Sequence, residues 1–438
     1  MNSFDKVILG KHTQITTDSK VTGRNNNVLV IGTSGSGKTY SLVEPTLMET
    51  NHSSLVVSDP KGSLSPKYAD YFKRKGYRVE ILNFIHPEKS TLSYDPLRNG
   101  EIQNSQQAIA LAHTLIHSSV DDVDVVQKDP YWDQAAEMLI ASIILLLLEV
   151  KASGTPSFSR LMGLMDSLSV SEANEEALKY TPLGKIMQSL RARNPKSEAV
   201  TMYHRVISTP SKTLNCIIST AQAAIARYNT TEMKTFMDLP NLFDPACLVN
   251  EKTVLFVQCS DVDDTLYGYI NMLYTQTMQH LFQLSDEAED RNRLRSVRFI
   301  LDDFATNVVI PQMPKWSGMM RERRISVMLM LQSITQLEEM YDARKARTII
   351  SNCDQIVFLR TNDLETAREF SYRLDLPVTD VLYSPIGTEY IFLSGTKPIK
   401  DERFDMKTQS KEYRKVYRSK SNVVKVRNTE ENREQRLA

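Results

Sequence analysis

Residues 32–39 read Gly-Thr-Ser-Gly-Ser-Gly-Lys-Thr and match the pattern G-x-x-x-x-G-K-[ST] at every fixed position. Gly32, Gly35 and Gly37 permit positive φ and close backbone approach. The N–H groups of a loop running through Thr33, Ser34 and Ser36 can therefore wrap a β-phosphate at a helix start, where the helix dipole also favours an anion. Lys38 offers a point charge to β- and γ-oxygens, and Thr39 offers a hydroxyl to Mg²⁺. The cofactors implied are ATP and Mg²⁺. A Gly/Ser-rich turn is the plainer alternative, but an apolar run before the loop and a helix-like stretch after it argue for phosphate binding.

Further along, Phe299-Ile300-Leu301-Asp302-Asp303 is an apolar run ending in two acids. Asp302 is placed to hold Mg²⁺ directly or through water, and Asp303 to orient and deprotonate an attacking water. Alone, such a run is weak evidence; beside a complete phosphate loop it gains weight. Gln332 follows another apolar run and either senses a γ-phosphate through a bridging water or caps a strand end. Arg321 and Arg323 lie in the cluster Arg321-Glu322-Arg323-Arg324. One of them can cross a subunit boundary as an arginine finger, and a solvated basic turn is an equal alternative.

These side chains need a scaffold that carries them on strand ends. Strand-like runs at 28–31, 54–58, 77–83, 253–258, 297–301, 325–331, 355–359 and 389–393 alternate with helical stretches, the arrangement of an α/β fold with a mainly parallel sheet. Between about 104 and 243 the period is near 3.6 throughout, which predicts an inserted all-α domain centred on the apolar run 138–148. The expected organisation is a leader at 1–26 carrying an edge strand, and a nucleotide-binding domain at 27–103 and 244–405. The all-α insertion at 104–243 interrupts that domain, and a basic flexible tail at 406–438 follows it. The tail either solubilises the chain or contacts phosphates or an acidic partner. The charged run 286–295 reads as a solvated face.

Lys plus Arg total 53 and Asp plus Glu total 53, so a uniformly basic nucleic-acid binder is excluded while a local basic surface is not. Four cysteines without a C-x-x-C pair exclude the usual zinc signatures and are expected to be small buried hydrophobes in a reducing compartment. The first 26 residues lack a signal-peptide core, and the run 138–148 is expected to be too short to cross a bilayer.

Taken in order, several segments resemble the TraG-like type IV coupling proteins of conjugation. They are 32–39, Ser58-Asp59-Pro60-Lys61-Gly62-Ser63, 253–256 with Asp261 and Asp263, 298–304, 321–326, 331–337, Asn352-Cys353-Asp354, Glu365-Thr366-Ala367 and Ser371. The resemblance spans most of 27–400. It implies a RecA-like P-loop NTPase core of the FtsK/HerA motor kind with an inserted all-α domain, assembled as a hexameric ring. It also implies a cytoplasmic position at the inner face of the plasma membrane. Such a motor passes relaxase-bound single-stranded DNA to the components of a type IV secretion channel. By position, Lys38 and Thr39 bind phosphate and Mg²⁺, Asp302 and Asp303 are the paired acids, Gln332 is the sensor, and Arg321 or Arg323 is the finger. The segment Asp59-Pro60-Lys61-Gly62 approaches the nucleotide, approaches the pore, or forms a tight turn.

Two departures accompany the resemblance. Family members usually carry Glu as the second acid, where this chain has the shorter Asp303, so hydrolysis that is slow or that depends on a neighbouring subunit is expected. Many members begin with transmembrane helices; here an anchor is expected on another polypeptide, or to be missing from a trimmed or soluble form. A nucleotide-gated recruitment module with weak or no hydrolysis is the runner-up function. A double-stranded DNA pump, which lacks a large all-α insertion, ranks last.

Overall fold

The computed structural model describes residues 4–98, 102, 104–117, 130–150, 156–169, 173–260, 262–302, 304 and 309–409. Asp261, Asp303 and all but the first four residues of the expected tail lie outside this set. The chain divides into two compact units, one of residues 1–81, 245–261 and 281–438, the other of residues 82–244 and 262–280.

A nine-stranded sheet dominates the first unit, in the order β11-β10-β9-β3-β8-β7-β4-β6-β5. Its strands are β3 Val28–Gly32, β4 Ser54–Asp59, β5 Arg78–Asn83, β6 Thr253–Gln258, β7 Val297–Leu301, β8 Ile325–Leu331, β9 Gln355–Arg360, β10 Thr388–Leu393 and β11 Ile399–Glu402. The six strands β9, β3, β8, β7, β4 and β6 pair parallel, and β10 and β11 return antiparallel. Every residue of β3, β4, β6, β7 and β8 is buried, which is why these strands read as continuous apolar runs. This is the RecA-like P-loop NTPase architecture, with one strand, β8, between the phosphate-loop strand and the acid-bearing strand β7.

The first residues do more than lead in. Lys6–Ile8 and Gln14–Thr16 form a separate two-stranded antiparallel sheet, β1 and β2, instead of the expected edge strand. Val7 and Leu9 enter the main hydrophobic core, and the buried Asp5 carboxylate accepts from the N–H groups of Asn51, His52 and Ser53 at 2.7, 2.9 and 2.8 Å. Short alternating segments place one apolar face inward, and the carboxylate satisfies a turn that would otherwise bury unpaired donors.

Helices make up the second unit, among them Ser105–Ile116, Pro130–Glu149, Phe158–Asp166, Pro182–Arg193, Glu198–Ile207 and Ser211–Ala226. Their starts follow ordinary capping chemistry: Asn104, Ser157, Thr181 and Ser197 each accept from a first-turn N–H. Helix Tyr131–Glu149 is in fact long and apolar enough to cross a membrane, contrary to expectation. Its residues from Ile140 to Leu147 are at most 7% exposed, so here it serves as the central core helix.

The unit also starts earlier than periodicity suggests, at Leu82, and includes 262–280. Hydrogen bonds between helix Tyr267–Glu287 and the segment before the first long helix tie these parts together. Tyr269 Oη donates to the Tyr94 carbonyl at 2.6 Å, Tyr94 Oη donates to Gln276 Oε1 at 2.6 Å, and Gln276 Nε2 donates to the Pro96 carbonyl at 3.1 Å. The buried Asp95 carboxylate caps helix Phe158–Asp166 through the Phe158 N–H at 3.0 Å, and burial pushes its pKa up to about 6. Three cysteines are buried as expected, but Cys216 is exposed.

Candidate functional site

The phosphate loop leaves the carboxyl end of β3. Gly35 and Gly37 take φ of +70° and +89°, as a wrapped loop requires. Gly32 keeps an ordinary φ and is needed for space instead: a Cβ there would stand 2.5 Å from Ser36 Oγ and 2.9 Å from Leu359 Cδ1. The helix after the loop begins with a wide π-type turn at Thr39–Val43 before Glu44–Glu49. Pro45 explains the widening, because it has no N–H to give and its ring would collide with the Ser41 carbonyl in a regular α-turn.

Lys38 is buried, and its Nζ donates to the Gly32 carbonyl at 2.5 Å and to the Thr33 carbonyl at 3.4 Å, holding the ammonium over the loop. Thr39 Oγ1 donates to Asp302 Oδ2 at 2.6 Å, joining the loop to the end of β7 across the intervening strand. A hydroxyl and a carboxylate converging on one point are a hard oxygen donor set, which suits Mg²⁺. Strand register makes this meeting unavoidable. Ile31 lies opposite Leu331 and Leu301 opposite Leu329, so Asp302 and Gln332 both emerge at the loop's edge of the sheet. Gln332 is half-buried there, with its backbone N–H held by Gln336 Oε1 at 3.2 Å.

Two cations that sequence reasoning misses stand beside the loop. Arg360, opposite Gly32 in the register of β9 with β3, donates from Nε to Thr33 Oγ1 at 3.0 Å. Arg403, just past β11, brings Nη1 to 3.0 Å from where a Cβ of Gly37 would stand. Burial lowers the Arg403 pKa, nearby Glu389 opposes that shift and Arg360 adds to it. Two guanidinium groups held together against their mutual repulsion beside an anion-binding loop are arranged to receive anion charge. Neither has a local signal, since both reach the loop only through the strand order. Tyr40, next to Thr39, donates to Asp405 Oδ1 at 2.7 Å and secures the same carboxyl-terminal segment to the loop helix.

The arginines expected to act as a finger are elsewhere. Arg321 and Arg323 sit before β8, at the opposite edge of the sheet from the loop, a seven-residue strand and thus about 20 Å away. Arg323 is engaged within its own chain: it pairs with Asp286 at 2.9 Å and lies over the Phe282 ring at 5.4 Å. Arg321 is exposed, with one bond of 3.3 Å to the Ser19 carbonyl. Neither arginine of this pair reaches its own chain's loop, and only Arg321 is presented outward.

Asp59 resolves another open reading. Its buried carboxylate accepts from the N–H groups of Ser63, Leu64 and Ser65 at 2.8 to 3.0 Å, and Gly62 takes φ +58°, so the Asp59-Pro60-Lys61-Gly62 segment is a tight turn closed by its first residue.

Comparison with known proteins agrees with this arrangement. The family described as "Type IV secretory system Conjugative DNA transfer" matches residues 3–375. The chain belongs to that family. Membership makes it a coupling protein of conjugative transfer and places DNA and secretion-system components among its partners. No curated protein matches its sequence.

Among solved structures, the plasmid coupling protein TrwB bound to a non-hydrolysable ATP analogue, ADPNP, superposes with a TM-score of 0.62 at 15% identity, covering 86% of this coupling protein and 85% of TrwB. TrwB bound to ADP and Mg²⁺ matches equally, with a TM-score of 0.62 and the same coverage. VirB4 of Thermoanaerobacter pseudethanolicus superposes at 0.53 with 12% identity, over 91% of this chain and 96% of VirB4. At such identities the likeness establishes a common fold, on which this coupling protein mounts its own loop, acids and cations.

Proposed function

We propose that this coupling protein is an ATP-driven motor that delivers relaxase-bound single-stranded DNA to a type IV secretion channel, working as a hexameric ring at the cytoplasmic face of the plasma membrane. The single observation that carries the reading is the 2.6 Å bond from Thr39 Oγ1 to Asp302 Oδ2. It unites loop and acid strand at the point where Mg²⁺, when bound, would neutralise charge between β- and γ-phosphates. Lys38 and the loop N–H groups hold the phosphates, Asp302 and Thr39 face the metal position, and Arg360 and Arg403 add positive charge at the loop. Gln332 senses the γ-phosphate end, and Asp303 orients the attacking water. Arg321 acts as the finger of a neighbouring subunit. In such a ring, loops lining the pore need few cations per chain because six copies converge, which is compatible with zero net charge.

ATP turnover measured with single- and double-stranded DNA, at two salt concentrations and across protein concentrations, tests the reading. Stimulation by single strands, a cooperative rise with protein and loss of turnover in Lys38→Ala are expected. No turnover under any condition, with Lys38→Ala indistinguishable from the parent, contradicts it.

Asp303, one methylene shorter than the usual acid, favours a second reading in which ATP gates assembly and cargo recruitment without rapid hydrolysis. Asp303→Glu separates the two: a large rise in turnover indicates a weakened hydrolase, and no change alongside tight ATP binding indicates a gate.

A further inference from the structure

Helices Ser105–Ile116 and Pro130–Glu149 of the helical unit bring together His113, His117 and Glu137, with one donor atom of each within 4.8 Å of the others. His113 and His117 are four residues apart, so their rings share a helix face, and their centroids lie 4.3 Å apart. Both aim at one atom of the neighbouring helix: His113 Nδ1 is 2.8 Å and His117 Nε2 is 2.9 Å from Glu137 Oε1. The Glu137 side chain is only 12% exposed, while the imidazoles are 60% and 37% exposed. The carboxylate is thus fixed by packing, and the rings are open to an ion arriving from solvent.

We propose that His113, His117 and Glu137 form a zinc-class cation site that clamps these two helices, separate in chemistry from the nucleotide's Mg²⁺ position. Two imidazoles and one carboxylate suit Zn²⁺ and its late-transition neighbours, whereas Mg²⁺ selects oxygen donors alone. Tetrahedral bonds of about 2.0–2.1 Å set donor atoms about 3.3 Å apart, so each imidazole nitrogen has to move about half an ångström from Glu137 Oε1, where it now stands at 2.8 or 2.9 Å, and the two nitrogens, which lie within 4.8 Å of each other, settle to the same spacing. The fourth position remains for water. Histidines spaced on a helix are visible in the sequence, but their carboxylate partner is 20 residues beyond His117, and only helix packing brings it there.

The test uses the full chain after chelator treatment. Zn²⁺ is titrated against a chromophoric chelator, Co²⁺ is followed by its visible absorption, and thermal unfolding is recorded with and without Zn²⁺. One Zn²⁺ per chain is expected, with a Co²⁺ spectrum lacking thiolate charge transfer and a rise in Tm on adding Zn²⁺. The double variant His113→Ala/His117→Ala should bind more than about 100-fold more weakly, since even losing an outer-shell partner costs up to that much. Its Tm should ignore Zn²⁺, and Glu137→Gln should bind with intermediate affinity. Equal Zn²⁺ affinity in the parent and the double variant, or a Co²⁺ spectrum dominated by thiolate from the four cysteines, overturns the proposal.

Discussion

The two ends of β8 carry opposite designs. At its carboxyl end, Gln332 joins a constellation drawn from several strands of one chain: the loop from β3, Asp302 from β7, Arg360 from β9 and Arg403 beyond β11. At its amino end, Arg321 points outward with no phosphate loop of its own chain in reach, while its neighbour Arg323 is consumed in holding the turn through Asp286 and Phe282. The difference separates a loop-side cluster from an outward arginine on the far side, which the proposed function assigns to a neighbour's seat. In the ring proposed above, hydrolysis would need both ends, each from a different chain.

Substitutions at the two ends should therefore fail in different ways. The largest effect is expected for Arg321→Ala. Turnover should fall by about 10³-fold, the lower range of an arginine finger's contribution. Its nucleotide affinity and thermal stability should stay near those of the parent, as measured by calorimetry and steady-state kinetics. A variant that keeps its turnover would return Arg321 to a solvated turn and break the comparison.

At the loop end, Arg403→Ala should instead raise KM for ATP by roughly tenfold, the loss of one charge-assisted contact of about 1.4 kcal/mol, with a smaller change in kcat. An unchanged KM would mean that Arg403 packs against the loop without serving the nucleotide. Smaller again, Arg323→Ala should cost about 1 kcal/mol of stability in denaturant unfolding, from a partly exposed ion pair and a cation–π contact. Its effect on turnover should be no larger than that destabilisation explains. Were it as damaging to turnover as Arg321→Ala at undiminished stability, the finger would have to be reassigned.

The smallest effect concerns pH. Burial, reinforced by the nearby Asp401 charge, raises the Glu389 pKa from 4.5 to about 8. The folded chain thus keeps a proton that the unfolded chain releases between these values, so this group favours folding at low pH. Its contribution is lost as pH climbs through that window. Glu389→Gln should flatten the dependence of Tm on pH between about 5 and 8. An unaltered slope would place the proton elsewhere.

Much of the seat is legible in the amino-acid sequence alone. The phosphate loop is local chemistry on consecutive residues, and buried parallel strands announce themselves as unbroken apolar runs, so β6, β7 and β8 fall on the residues that read as strands. Asp302 and Gln332 are legible for the same reason, each being the first polar residue past such a run. Arg360 and Arg403 are not, because nothing in their neighbourhood distinguishes them. They become loop residues only when β9 lies beside β3 and β11 folds back past it, an arrangement that joins residues more than 300 positions apart. The arginine cluster is legible as basic but not as divided. Its separation into a packed Arg323 and an outward Arg321 depends on Phe282 and Asp286, which belong to a different helix. Likewise, the extent of the helical unit is hidden because Tyr94, Tyr269 and Gln276 join it by hydrogen bonds that leave no periodic trace.

The central claim, that each chain supplies a seat at one end of β8 and a finger at the other, is tested most directly by mixing two inactive variants. Lys38→Ala lacks the seat but keeps Arg321, and Arg321→Ala lacks the finger but keeps the seat. Co-assembled in one ring, they should recover ATP turnover at the interfaces where an intact loop meets an intact arginine. If mixed rings form, as shown by pull-down of one tagged variant with the other, and turnover stays as low as in either variant alone, the division of labour is refuted.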